Sequence, residues 1–343
     1  MITQGDPAIE IPAVPLRTDV RDLLWCPFVP AISPDAAQAR AHTLAWLTRA
    51  GIITSAPQRA YVDAMRLDLY AARVAPALRG PQLDLFCDWI VFTTQLDDHL
   101  DSNDPAAIHP LVRQLVGVLD HDDPDRASAA EDPFVTAFGE LWRQCGHIPQ
   151  PWRRQLADGW AQWIEAYLTE AGWRQARLWP SLARYRYTVR TTSAALPFTL
   201  LSELLSGIWL PDRVLNSAAL NALRVVVPDH TMAVNDVFGA PREALTGDHL
   251  NAVFITEREY RCTRDQAVAM TIDYANAAIR HFLRLVDALP RTCDDLRLTA
   301  AERESVRRWV SGLQHWLRGN LDWHTTDTHR YATGIRPLGG TQA

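Results

Sequence analysis

The chain has 343 residues, is 48% hydrophobic, 22% charged and 9% aromatic, and carries a formal net charge of −6. That much apolar material suits a large core, and 13 Trp, 9 Phe and 8 Tyr exclude disorder for most of the length. An acidic balance with no block of basic residues, every one of them Arg, excludes a nucleic-acid footprint.

Residues 1–24 read as an irregular segment without a basic start and apolar stretch of the secretory kind. Helical spacing then takes over. Pro34 and Asp35 after Ser33 open a helix over 34–50, closed by Gly51, with Leu44, Trp46 and Leu47 on its apolar face. Similar periodicity predicts helices at about 56–75, 82–102, 131–146, 151–175, 181–206, 213–238, 263–289 and 298–323. Breaks fall at Gly80-Pro81, Pro105, Pro211-Asp212 and Pro290. The β-branched run Val225-Val226-Val227 lies inside a longer 3.6-residue pattern and stops at Pro228. Residues 332–343, with Gly334 and Gly339-Gly340, read as a flexible tail. The five cysteines, Cys26, Cys87, Cys145, Cys262 and Cys293, form no C-x-x-C pair and suit free thiols in a reducing cytoplasm. No apolar run approaches the ~20 residues that cross a bilayer. The simplest reading is one all-α domain over 25–331, and all-round apolar helices such as Leu196 to Leu210 place helices inside helices, around a central apolar cavity.

Two acidic clusters end apolar helices. In Trp89 to Asp101, Asp97 and Asp101 stand at i and i+4, with Asp98 and His99 between them. Like charges so placed repel unless a cation joins them, and hard oxygen donors suit Mg²⁺, which keeps waters and takes phosphate oxygens. In Asn235 to Glu243, Asn235, Gly239 and Glu243 share one helical stripe. A solvated helix end accounts for either cluster taken alone; both together, from 97 to 235, suit helices that return to one end of a bundle.

Asp97-Asp98-His99-Leu100-Asp101 resembles the DDxxD motif of class I terpene synthases, and Asn235 to Glu243 resembles their NDxxSxxxE motif, in the family's order. Tyr187 to Pro197 resembles the segment that carries a diphosphate-sensing arginine, which implies Arg190 as sensor, Ser193 as linker and Ala194 as effector, its backbone carbonyl facing the substrate. Trp316 to Trp323, followed by Arg330-Tyr331, resembles the C-terminal helix and closing Arg-Tyr pair of bacterial members. The resemblance runs from about residue 27 to 331.

It implies a class I terpenoid synthase-like helical bundle and a carbon–oxygen lyase of isoprenoid secondary metabolism. Such an enzyme takes an isoprenyl diphosphate and three Mg²⁺ ions, with Mn²⁺ as a substitute. Farnesyl diphosphate leads, with geranylgeranyl and geranyl diphosphate behind it. Asp97 would bridge two ions, and Asn235 and Glu243 would hold the third. Asp98 and Asp101 follow as weaker metal candidates, and Gly239 occupies the position of a serine ligand. Arg190, Arg242, Arg330 and Tyr331 would bind diphosphate. Phe92, Thr93, Thr94, Phe198 and Trp316 are the cavity candidates. The chain would act in the cytoplasm as monomer or homodimer, with no nucleic-acid partner and no membrane segment. From another class, the weakened second motif also suits an inactive helical scaffold.

Overall fold

The computed structural model describes residues 20–101, 104–120 and 131–331. The predicted flexible tail and all but the end of the predicted irregular head lie outside these residues. The described residues contain no β-strand. Their helices, in chain order, are α1 (Val20–Leu23), α2 (Ala36–Arg49), α3 (Ala56–Ala64), α4 (Leu67–Val74), α5 (Gly80–Leu100), α6 (Pro105–Asp120), α7 (Pro133–Gln144) and α8 (Trp152–Gln175). They continue with α9 (Leu182–Thr192), α10 (Ala195–Leu205), α11 (Asp212–Leu215), α12 (Ala218–Thr246), α13 (Ala252–Tyr260), α14 (Arg264–Asp295) and α15 (Ala300–Asp322), which runs into a π-helical turn, Trp323–Asp327. Val20–Leu23 is therefore helical where an irregular segment is predicted. Among the described residues no helix is long and apolar enough to cross a membrane.

Periodicity finds most helices and misplaces several ends. The single helix predicted over 56–75 breaks at Arg66, whose φ of 53° is left-handed. The one predicted over 181–206 breaks at Ala194, φ 54°, into α9 and α10. A non-glycine residue there costs roughly 1–2 kcal/mol, so packing on both sides must impose it. α12 runs past both Pro228 and Pro241 to Gly247, whose φ of 74° caps it. A proline removes one ladder bond, and the buried face from Leu220 to Ala244 holds the helix together regardless. α6 starts at the Pro105 read as a break and contains Pro110. Nine-residue α13 follows Asn251, whose side chain accepts the Val253 amide; it is too short for periodicity to reveal.

One continuous set of buried apolar side chains runs from Val20 to Trp323. The closest backbone approach at a helical glycine joins α15 to α4. A Cβ at Gly319 would stand 2.6 Å from the Arg73 carbonyl carbon and 2.8 Å from the Val74 nitrogen. Glycine lets Trp316 and Trp323 reach Tyr70, with centroids 5.9 and 5.2 Å away. Gly319→Ala should therefore force the helices apart and destabilise the protein by about 1–3 kcal/mol. Urea unfolding of the variant checks this, and an unchanged midpoint would contradict it.

Candidate active site

α5, α8, α12 and α15 bring their C-terminal halves to one end of the bundle, so four helix dipoles direct negative potential there. The three aspartates of α5 each take different partners. Asp97 Oδ1 accepts the Tyr167 hydroxyl of α8 at 2.7 Å. Asp98 Oδ2 accepts the Tyr61 hydroxyl of α3 at 3.0 Å, while its Oδ1 lies 3.9 Å from Arg242 Nη2 and 3.5 Å from Arg330 Nη2. Asp101 pairs with Arg174 Nη1 at 2.9 Å. Arg174 Nη2 in turn meets Asp248 at 3.1 Å and Glu170 at 3.6 Å. Asp98 thus ties the first cluster to the second and to the closing Arg-Tyr pair. Asp98 and Asp101, the weaker metal candidates, are both engaged by arginines.

On α12, Glu243 Oε2 accepts Asn251 Nδ2 at 2.7 Å, and the same amide donates to the Asp236 carbonyl at 2.9 Å. Gly239 carries no donor oxygen. A Cβ built there would lie 2.5 Å from Glu243 Oε1 and 3.6 Å from Asn235 Oδ1. The Glu243 carboxylate therefore fills the space a serine side chain would take, and it shares this side of the helix with the Asn235 oxygen. Asp236 turns elsewhere, accepting Tyr185 Oη at 3.0 Å and the Ala252 amide at 3.1 Å.

These acids are over-supplied with negative charge. Burial, then the charges of Asp248 and Asp236, pushes the Glu243 carboxyl up to about 8. Burial raises Asp97, with the Asp98 charge adding to it. It lifts Asp101 to about 6 despite Arg174, and Glu170 and Asp236 to about 7. Glu243 nevertheless keeps some accessible surface. Oxygen donors with unneutralised charge fit hard divalent cations. Among the described residues no three carboxylate, imidazole or thiolate groups converge on one point, so ions bound there would complete their shells with water and substrate oxygens.

Beneath Asp97, the aromatic residues differ in part from those expected. Phe86 shares the Asp97 face of α5 and meets Phe198 edge-on at 6.0 Å; Phe198 stacks near Trp316 at 6.2 Å and meets Trp160 at 5.0 Å. Phe198 and Trp316 thus lie in one interior cluster. Phe92 does not: its partners are Trp46 of α2 and Phe134 and Phe138 of α7. At 100° per residue it stands roughly 140° from Asp97, so the cavity expectation is corrected to core packing. Thr93 and Thr94 both donate to the Ile90 carbonyl, at 3.0 and 2.9 Å. Exposed His99 stacks on Phe134 at 4.5 Å.

Of the diphosphate-binding candidates, Arg242 and Arg330 meet at Asp98. Tyr331 donates to His324 Nε2 at 3.1 Å, since His324 Nδ1 gives its proton to the Asn320 carbonyl at 2.8 Å. Burial lowers His324 to about 4 and keeps it neutral. Arg190 stands apart from this group, held by both oxygens of Asp229 at 2.7 and 2.9 Å. Ala194 sits at the helix break, and its carbonyl accepts the Phe198 amide at 3.1 Å. Sequence reading missed Tyr61, Tyr167, Glu170, Arg174, Asn251 and Phe86. Only Phe86 had a visible signal, its helical register with Asp97.

Protons held by raised carboxyls in the native state make a pH prediction. Unfolded, these groups titrate near 4, so between about pH 4 and 8 the native state binds more protons. Stability of the metal-free protein should then fall as pH rises from 5 to 8. Glu243→Gln should flatten the upper part of that fall; chemical denaturation in EDTA measures both, and a flat wild-type profile would refute the charge excess.

Residues 88–281 match the family model described as terpene synthase family 2, C-terminal metal binding. Pristinol synthase from Streptomyces pristinaespiralis is 33% identical over 321 residues, covering 92% of this chain and 86% of that protein. (−)-β-Caryophyllene synthase from Saccharothrix espanaensis is 31% identical over 333 residues, covering 95% and 92%. The crystal structure of germacradien-4-ol synthase from Streptomyces citricolor is similar with a TM-score of 0.78 at 25% identity, covering 88% of this chain and 97% of that one. With two acidic clusters joined through Asp98 above an aromatic interior, in an all-helical frame, the chain belongs to the terpene synthase family.

Proposed function

We propose that the chain is a Mg²⁺-dependent class I cyclase that ionises farnesyl diphosphate and closes the resulting cation into a sesquiterpene. The observation that carries this reading is the Asp98 junction with Arg242 and Arg330, which puts anion-binding and cation-binding groups side by side. The substrate follows from the relatives: the caryophyllene synthase is named as cyclising (2E,6E)-farnesyl diphosphate, as is a 7-epi-α-eudesmol synthase from Streptomyces viridochromogenes. The relatives are named as synthases, which favours an enzyme over an inactive scaffold.

Asp97 would hold two of three ions, and Asn235 with Glu243 the third. When bound, Mg²⁺ supplies Lewis-acid stabilisation of the leaving diphosphate. The chain's own groups do the rest. Arg242 and Arg330 donate charge-assisted hydrogen bonds to phosphate oxygens once Asp98 shares them. Tyr331 is positioned by His324. Arg190 is the reserve donor, and must leave Asp229 to take part. Phe86, Phe198 and Trp316 exclude water and present π faces to a cation.

Purified protein with Mg²⁺ and farnesyl, geranyl or geranylgeranyl diphosphate should give cyclic product from the first, read by gas chromatography–mass spectrometry. Asp97→Ala and Asn235→Ala should each lower turnover at least ~100-fold; full activity in either would remove that residue from the site. Gly239→Ala should push the Glu243 carboxylate aside and raise the Mg²⁺ concentration for half-maximal rate several-fold. Gly239→Ser, which returns an oxygen, should do so less, and titration of rate against Mg²⁺ separates the two.

A further inference from the structure

Asn320 is 1% exposed, and neither its side-chain nitrogen nor its side-chain oxygen has a hydrogen-bond partner among the described residues. A buried amide left in that state costs free energy that a bound partner recovers. Its place defines the partner. On α15 it stands one turn after Trp316 and one turn before His324, so the three share a stripe. Trp316 touches Phe198, Tyr70 and the Thr231 hydroxyl, from α10, α4 and α12. His324 holds Tyr331. Asn320 therefore lies between the aromatic floor and the diphosphate-binding end.

Several neighbouring polar groups are already engaged; the buried His230 imidazole, near His324, is not, its Nδ1 being unpartnered among the described residues. Thr93 and Thr94 donate to Ile90, and Thr231 accepts the Trp316 indole. The Trp160 indole is unpartnered, but an N–H can only donate, which would occupy a water lone pair. An amide oxygen instead accepts a water O–H and leaves the oxygen lone pairs free. A hydrocarbon chain that has lost its diphosphate offers the amide nothing.

We propose that Asn320 holds a water molecule beside the cyclised cation, so that the main product of this chain is a terpene alcohol. This rests on the cyclase reading. The water oxygen forms a C–O bond to the cationic carbon. The resulting oxonium loses a proton to the diphosphate released earlier, so farnesyl diphosphate and water give terpenol and hydrogen diphosphate.

The test is turnover in ¹⁸O-labelled water, with an enzyme-free control for solvolysis. Wild type should give a labelled cyclic alcohol. Asn320→Leu, close in size and apolar, should lower the alcohol-to-hydrocarbon ratio at least about tenfold, the weight of one hydrogen bond, while still consuming substrate. Hydrocarbons alone from wild type would overturn the proposal and leave the cyclase reading standing, without depending on how the variant folds. An unchanged ratio in a folded, active Asn320→Leu protein would also overturn it. No product from any of the three diphosphates would defeat both readings at once.

Discussion

Bringing the ends of α5, α8 and α12 together forces Asp97, Asp98, Asp101, Glu170, Glu243 and Asp248 into one region, and the arginines there cannot neutralise them. Arg174 alone serves Asp101, Asp248 and Glu170. Arg242 and Arg330 share the single carboxylate of Asp98. Glu243 is left with a neutral amide, Asn251, and its carboxyl rises to about 8. Adding four helix C-termini deepens the negative potential. A fold assembled only for stability would not keep this excess, since each desolvated carboxylate works against the native state. Divalent cations resolve it directly, which is why the charge excess and the proposed chemistry are one fact seen twice.

The rest of the bundle serves to hold those ends in place. α12 carries Asn235 and Glu243 across two prolines because its buried face is long enough to make the lost ladder bonds a minor term. Gly319 lets α15 lie on the α4 backbone, and that approach sets Trp316 and Trp323 on Tyr70 and sends the chain on to Arg330. Asn251 caps α13, holds the α12 backbone and anchors Glu243, so one side chain couples a helix start to a site carboxylate.

How much of this was legible in the sequence follows from distance along the chain. The helical frame and the two acidic clusters could be read because their signals are local, a 3.6-residue period and carboxylates a turn apart. The partners of those carboxylates could not, because Tyr61, Tyr167 and Arg174 come from helices whose docking no local pattern specifies. Phe92 illustrates the intermediate case: as an aromatic residue it has the chemistry of a cavity wall, but the helical angle sends it to α7 and leaves Phe86 on the inner face. At Gly239 the missing serine oxygen is legible, whereas the Glu243 carboxylate standing where that side chain would go is not.

Arg190 and Ala194 place an ion pair and a left-handed turn four residues apart. Arg190 is bound on both sides of its guanidinium by Asp229, an acid of α12 lying on the helix flank opposed to Asn235 by roughly 120°. Four residues on, the left-handed turn at Ala194 ends α9 and starts α10, which carries Phe198 into the aromatic interior. The Ala194 carbonyl accepts the Phe198 amide, so the turn is tied directly to the first turn of α10. The roughly 1–2 kcal/mol that a left-handed residue costs there is offset by the side chains the turn delivers to the interior, Ala195, Phe198 and Leu201, all of them buried.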